Sequence, residues 1–119
     1  MYLCYLTELI EGGSRGFDPL KCGQDSVFVV RHRFELFAYE NRCPHQDSSM
    51  AWRKDAYLNN AGDVIVCSAH GAQFEISTGR CTLGPCLGQS LKSVPLTLSE
   101  NGEVAIVNHY LETITCHSQ

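Results

Sequence analysis

Two short stretches of the chain pair a thiol with an imidazole. Cys43-Pro44-His45 lies in "AYENRCPHQDSSM", and Cys67-Ser68-Ala69-His70 lies in "IVCSAHGAQF". Each pair offers one soft sulfur ligand and one imidazole nitrogen, both suited to a transition metal. Taken singly, neither stretch separates a metal hook from a catalytic pair or a chance neighbourhood. Together, Cys43, His45, Cys67 and His70 make a four-ligand set, with 21 residues between His45 and Cys67. A Cys-His catalytic dyad needs a third group to orient its base, and it would leave the second pair unexplained.

Two occupants suit two thiolates and two imidazoles. One is tetrahedral zinc. The other is a [2Fe-2S] cluster in which two histidines replace two cysteines on one iron. The order of the residues favours the cluster. Zinc fingers commonly run Cys-Cys and then His-His, each pair spaced for one metal. Here each loop supplies one of each type, which suits two loops that each give a sulfur to one iron and a nitrogen to the other.

The elements that must position these loops read as short strands, with no long 3.6-residue periodicity. "MYLCYL" opens as a strand, "EGGSRGFDPL" as a loop, and "SVFVV" as a buried strand. "RHRF" is expected to turn the chain into the strand "ELFAYE", after which comes the loop "CPHQDSSM". "DAYLNN" and "DVIVC" flank a hairpin turn at Asn59–Gly62, and "SAHGA" forms the second loop. "QFEIS" is a further strand, stopping at Thr78-Gly79. "CTLGPCLGQ", with two glycines and a proline, is expected to be irregular. "LKSVPLTL" and "EVAIV" pair across Ser99-Glu100-Asn101-Gly102, a strong hairpin signal. The reading is all-β and one domain over 1–119, with a tail of about residues 109–119 expected to fray.

The bulk numbers are ordinary for one globular domain: 119 residues, 44% hydrophobic and 18% charged. The net charge of -4 argues against nucleic-acid binding, which needs a Lys/Arg patch, and suits docking on a basic partner. No apolar run is long enough to span a bilayer. "MYLCYLTELIEGG" is a poor signal peptide, so the cytoplasm is the expected compartment. Seven cysteines, an odd count, point to metal rather than to a disulfide framework.

With "CPH", "CSAHGAQFEISTG" and the later "GPC", the chain resembles the Rieske-type ferredoxin family, from about Tyr2 to about Val107. The stretch between the pairs is longer than is usual in small members, and the extra length falls in "AWRKDAYLNNAG". The resemblance implies a Rieske-like fold: an antiparallel β-sandwich or barrel base carrying a small cluster-binding subdomain, about residues 41–89. It implies one [2Fe-2S] cluster per chain, with Cys43 and Cys67 on the inner iron and His45 and His70 on the outer, more exposed one. The function implied is one-electron transfer, from a reductase to an oxygenase, by a carrier without catalysis of its own. The chain is too short to be such an oxygenase itself and lacks a respiratory subunit's membrane anchor. A monomer that binds neither membrane nor nucleic acid is the expectation. A redox-sensing regulatory module and a zinc-stabilised structural domain are the alternatives.

Replacing two thiolates by two imidazoles makes the cluster less negative and easier to reduce. Ligating nitrogens must be unprotonated, so cluster binding is expected to weaken in acid. In this family the high-potential members join the cluster loops by a disulfide. Here no cysteine follows His45 in its loop, and Ser68 and Ala69 fill the second. Those members also donate serine and tyrosine hydroxyls to the cluster, where this chain has Ala72 and Phe74. The expected potential is therefore about -150 mV, the lower part of the Rieske range.

The remaining candidates have plainer readings. Cys81 and Cys86 read as packing residues, with a Cys81–Cys86 disulfide or a thiol contact near the cluster as weaker alternatives. Cys4 and Cys22 read as core or semi-buried thiols, and Cys116-His117 as tail. His32 reads as a turn residue and His109 as a strand end. Trp52, Arg53 and Lys54 read as a solvated basic loop, with a docking patch as the alternative. Pro85 reads as a plain turn or, as the resemblance favours, as part of a third loop that would cover the cluster.

Overall fold

Val27, Phe28, Val29 and Val30 are wholly buried, and this strand divides two cores. The computed structural model describes residues 1–44, 49–51, 53–108 and 110. Its strands are β1 (Tyr2–Tyr5), β2 (Gly13–Phe17), β3 (Val27–His32), β4 (Glu35–Glu40), β5 (Val64–Val66), β6 (Gln73–Glu75), β7 (Cys81–Leu83), β8 (Leu96–Leu98) and β9 (Glu103–Ile106). A 3-10 turn, Leu6–Glu8, follows β1. The strands form three antiparallel sheets, ordered β1-β9-β8, β2-β3-β4 and β5-β6-β7. The expected all-β architecture is what the chain adopts.

Successive strand residues face opposite sides, and β3 uses both. Val27 and Val29 join a base core with Cys4, Leu9, Ala38, Val104 and Ile106. Phe28 and Val30 join a second core with Tyr39, Met50, Tyr57, Ile65 and Phe74, which also holds Cys43, Cys67, Cys81 and Cys86. The continuous apolar run is therefore a strand buried on both faces. Phe28 stacks on Tyr57 with ring centroids 4.2 Å apart, which anchors the long inter-loop segment to β3.

Both expected hairpins form. Asn59 N–H donates to Val64 O at 3.1 Å and Gly62 N–H to Asn59 O at 3.0 Å. At the other turn, Gly102 N–H donates to Ser99 O at 3.0 Å.

Three segments differ from expectation. "EGGSRGFDPL" contains β2, paired along its length with β3. Gly16 within it reflects close packing rather than a loop: a Cβ there would lie 2.1 Å from Asp25 Oδ2 and 2.8 Å from the Tyr57 hydroxyl. "CTLGPCLGQ" begins with the three-residue strand β7, because Phe74 and Gln73 of β6 offer it a partner. "RHRF" turns only at Arg33 and Phe34, while Arg31 and His32 finish β3. Both turn residues have positive φ, 52° and 65°. The Glu11 carboxylate accepts their amides at 2.7 and 3.0 Å and so holds the turn.

Candidate metal centre

The first loop leaves β4 at Glu40 and is closed by a buried amide side chain. Asn41 Nδ2 donates to Asp25 O at 2.9 Å and to Ser49 Oγ at 3.1 Å. Its Oδ1 accepts the Met50 amide at 2.8 Å, and its own N–H donates to Ser26 O at 2.9 Å. Residues 41 and 50 are thereby fixed together, with Cys43 buried between them in the sequence.

The second loop follows β5 and closes on itself. Cys67 N–H donates to Ala72 O at 2.9 Å, and Gly71 N–H to Cys67 O at 2.8 Å. Ser68 N–H donates to Met50 O at 2.8 Å, which ties the two loops to each other. Cys67 is buried while His70, three residues on, is exposed. The Cys67 thiol is held above its ordinary pKa, first by burial and then by the neighbouring Cys43, with which it shares a hydrogen bond. The Ala69 and His70 amides also hydrogen-bond its sulfur and act in the opposite sense, favouring the thiolate.

A third loop follows β7 and packs against the second. A Cβ on Gly84 would lie 2.9 Å from Ala72 Cα, so only glycine admits this approach. Cys86 is fully buried, and its Sγ lies 3.8 Å from Cys43 Sγ. The Cys81 thiol is buried and donates to Leu83 O at 3.4 Å. Neither is in a disulfide, so the alternative of a Cys81–Cys86 bridge does not hold, and the thiol contact that Cys86 makes is with Cys43.

Of the four expected ligands, the structure brings Cys43 and Cys67 into contact and leaves His70 exposed on the second loop. His45 lies outside the described residues, as do Trp52, His109 and Cys116-His117. Among the described residues, no three His, Cys, Asp or Glu side chains are gathered as a metal site. Ala72 and Phe74 are both buried and carry no hydroxyl. Lys54 is not a free cation of a basic loop: its Nζ lies 2.8 Å from Asp25 Oδ2, 3.2 Å from Asp55 Oδ1 and 2.8 Å from Gly16 O. Asn41 and the Met50 carbonyl escaped sequence reasoning, and Cys86 entered it only as a weaker alternative to packing. The one available signal for Cys86 was its place in "GPC".

Fold and loops together define a class: a small all-β domain presenting two buried thiols and an exposed histidine from adjoining loops. The Rieske [2Fe-2S] domain family matches residues 1–111. The chain is 33% identical over 104 residues to the alkene monooxygenase system ferredoxin component of Xanthobacter autotrophicus (strain ATCC BAA-1158 / Py2), covering 87% of this chain and 77% of that one. Its fold is similar to that of the Sphingomonas yanoikuyae B1 ferredoxin, with a TM-score of 0.69 and 27% identity over 89% of this chain and 95% of that one. It is equally similar, with a TM-score of 0.69 and 25% identity, to a chain in the complex of reduced oxygenase and oxidised ferredoxin of carbazole 1,9a-dioxygenase, covering 90% of this chain and 100% of that one. The chain belongs to the Rieske [2Fe-2S] domain family, and one [2Fe-2S] cluster is its cofactor.

The residues present fit that group. Two buried thiols touch, two amides face the sulfur of Cys67, and burial disfavours ionisation of that thiol. Bound iron supplies the positive charge that makes buried thiolates stable.

Proposed function

We propose that Cys43, His45, Cys67 and His70 hold the cluster, the cysteines on the inner iron and the histidines on the outer, and that the chain passes single electrons from a reductase to an oxygenase. When bound, the cluster supplies a one-electron couple. The observation that carries the ligand assignment is the contrast within one loop: Cys67 is buried against Cys43, while His70 is exposed. Thiolate ligation belongs in the buried region, where Ala69 and His70 amides meet the sulfur. Imidazole ligation belongs at the rim, where an electron has the shortest path to a docked partner.

The partner class is supported by the ferredoxin component of the alkene monooxygenase system and by the solved oxygenase–ferredoxin complex. The whole chain acts as one domain over 1–119, with about residues 41–89 as the cluster-binding subdomain and the cytoplasm as its compartment. Among the described residues no helix is long and apolar enough to cross a membrane.

Stopped-flow mixing of the chemically reduced protein with an oxygenase component, followed at the cluster absorbance, tests this role. The carrier reading predicts reoxidation whose rate rises with oxygenase concentration. Absence of electron transfer, together with partner binding that depends on cluster state, would instead establish a sensor.

A further inference from the structure

Cys86 is a buried thiol that the four-ligand set does not use. Its Sγ lies 3.8 Å from Cys43 Sγ, within hydrogen-bonding distance for two sulfurs. Cys86 is held in place by its own loop: Gln89 N–H donates to Cys86 O at 2.8 Å, Cys81 N–H to Gln89 O at 2.8 Å, and Leu87 N–H to Gly84 O at 3.2 Å. The same loop abuts Ala72, at the end of the second loop. The sulfur contact therefore comes from a fixed third loop rather than from a swinging side chain.

While both sulfurs carry protons, either can donate. An iron-bound Cys43 has given up its proton, so Cys86 alone has one to offer. We infer that Cys86 donates its S–H to the Cys43 sulfur of the loaded protein and, acting through Cys43, raises the reduction potential. The inference rests on Cys43 being a cluster ligand, as proposed above. A donor to a ligand sulfur stabilises the more negative, reduced state over the oxidised one. The electron enters from the reductase and leaves to the oxygenase, while the Cys86 proton stays on its own sulfur throughout. This donor comes from the third loop, whereas Ala72, at the end of the second loop, and Phe74, in β6, carry no hydroxyl.

The test is a redox titration of the loaded wild type, Cys86→Ala and Cys86→Ser, with resonance Raman spectra of the Fe–S(Cys) stretches in H2O and D2O. Cys86→Ala should be reduced about threefold to tenfold less at a fixed potential, where tenfold corresponds to about 59 mV for a one-electron couple. It should also lose part of the deuterium shift. Cys86→Ser keeps a donor and should hold both the midpoint and the shift at or above the wild-type values. Unmoved midpoints and shifts in both variants overturn the inference. Loss of the cluster from both variants also overturns it, since a tuning donor is not needed for loading. If only Cys86→Ala fails to load, the serine variant decides, and a lowered midpoint or a lost shift there contradicts the inference. A wild-type protein without a histidine-ligated [2Fe-2S] signal would fail the ligand proposal instead, so the two failures are distinguishable.

Discussion

The side-chain carbonyl of Asn41 accepts the Met50 amide at 2.8 Å, and the Met50 carbonyl accepts the Ser68 amide at 2.8 Å. One buried side chain thus closes the first loop and, through Met50, sets its register against the second. Asn41→Ala leaves the buried Met50 amide and the Asp25 carbonyl without this partner. The expected destabilisation is about 2–4 kcal/mol, from the cost of leaving buried polar groups unpaired. Urea unfolding of the loaded protein measures it, and a loss under about 0.5 kcal/mol would show that the loop mouth is held by other contacts.

Tyr39 links the strand before the first loop to the turn that follows β6, donating its hydroxyl to Ile76 O at 2.6 Å. Tyr39→Phe should cost about 1–2 kcal/mol at neutral pH. Burial, with Glu75 adding to it, pushes the Tyr39 phenol up to about 12, and burial with Asp25 and Asp55 also raises Tyr57. In the unfolded chain a tyrosine titrates near pH 10, so the folded state keeps a proton that the unfolded state has released. This stabilisation is fully present below pH 10 and is lost as the pH rises from about 10 to about 12. Tyr39→Phe should therefore lose less stability than wild type across that window. Unfolding midpoints measured at several alkaline pH values read the difference, and parallel losses would contradict the assignment.

The cluster environment sets the potential. Ala72 and Phe74 offer no hydroxyl, and Cys86 supplies at most a weak sulfur donor. The midpoint is expected at about -150 mV, in the lower part of the Rieske range. A clearly positive midpoint in a dye-mediated titration would contradict this account of the cluster's surroundings.

Ligand exchange separates the two halves of the first pair. Cys43→Ala removes a buried sulfur and should abolish cluster loading, read as loss of visible absorbance and of iron. His45→Cys adds a thiolate charge, so a variant that loads should have a lower midpoint than wild type. Retention of an unaltered spectrum by both variants would remove Cys43-Pro44-His45 from the site.

The proposed ligands stand out in the sequence because their chemistry is local. Cys43, His45, Cys67 and His70 are marked by residue type and spacing, and Asn59–Gly62 and Ser99–Gly102 by turn chemistry. The parts that were not legible depend on distant partners. Gly13–Phe17 looks like a loop until Asp25, Tyr57 and the edge of β3 are seen to press against it. Asn41 is an ordinary polar residue until Met50 and Asp25 arrive at its side chain. Cys86 meets Cys43 across 43 positions, so no local pattern encodes the contact. The stretch between the pairs is likewise placed by distant packing, since Tyr57 stacks on Phe28 and Lys54 pairs with Asp25 and Asp55.

The most direct test of the centre is pulsed EPR on the reduced protein produced with 15N-labelled histidine. Two strongly coupled histidine nitrogens are predicted, one of which disappears or changes in a His70 variant that still loads. A reduced [2Fe-2S] signal without directly bound histidine nitrogen, or a colourless protein holding zinc, would contradict the account.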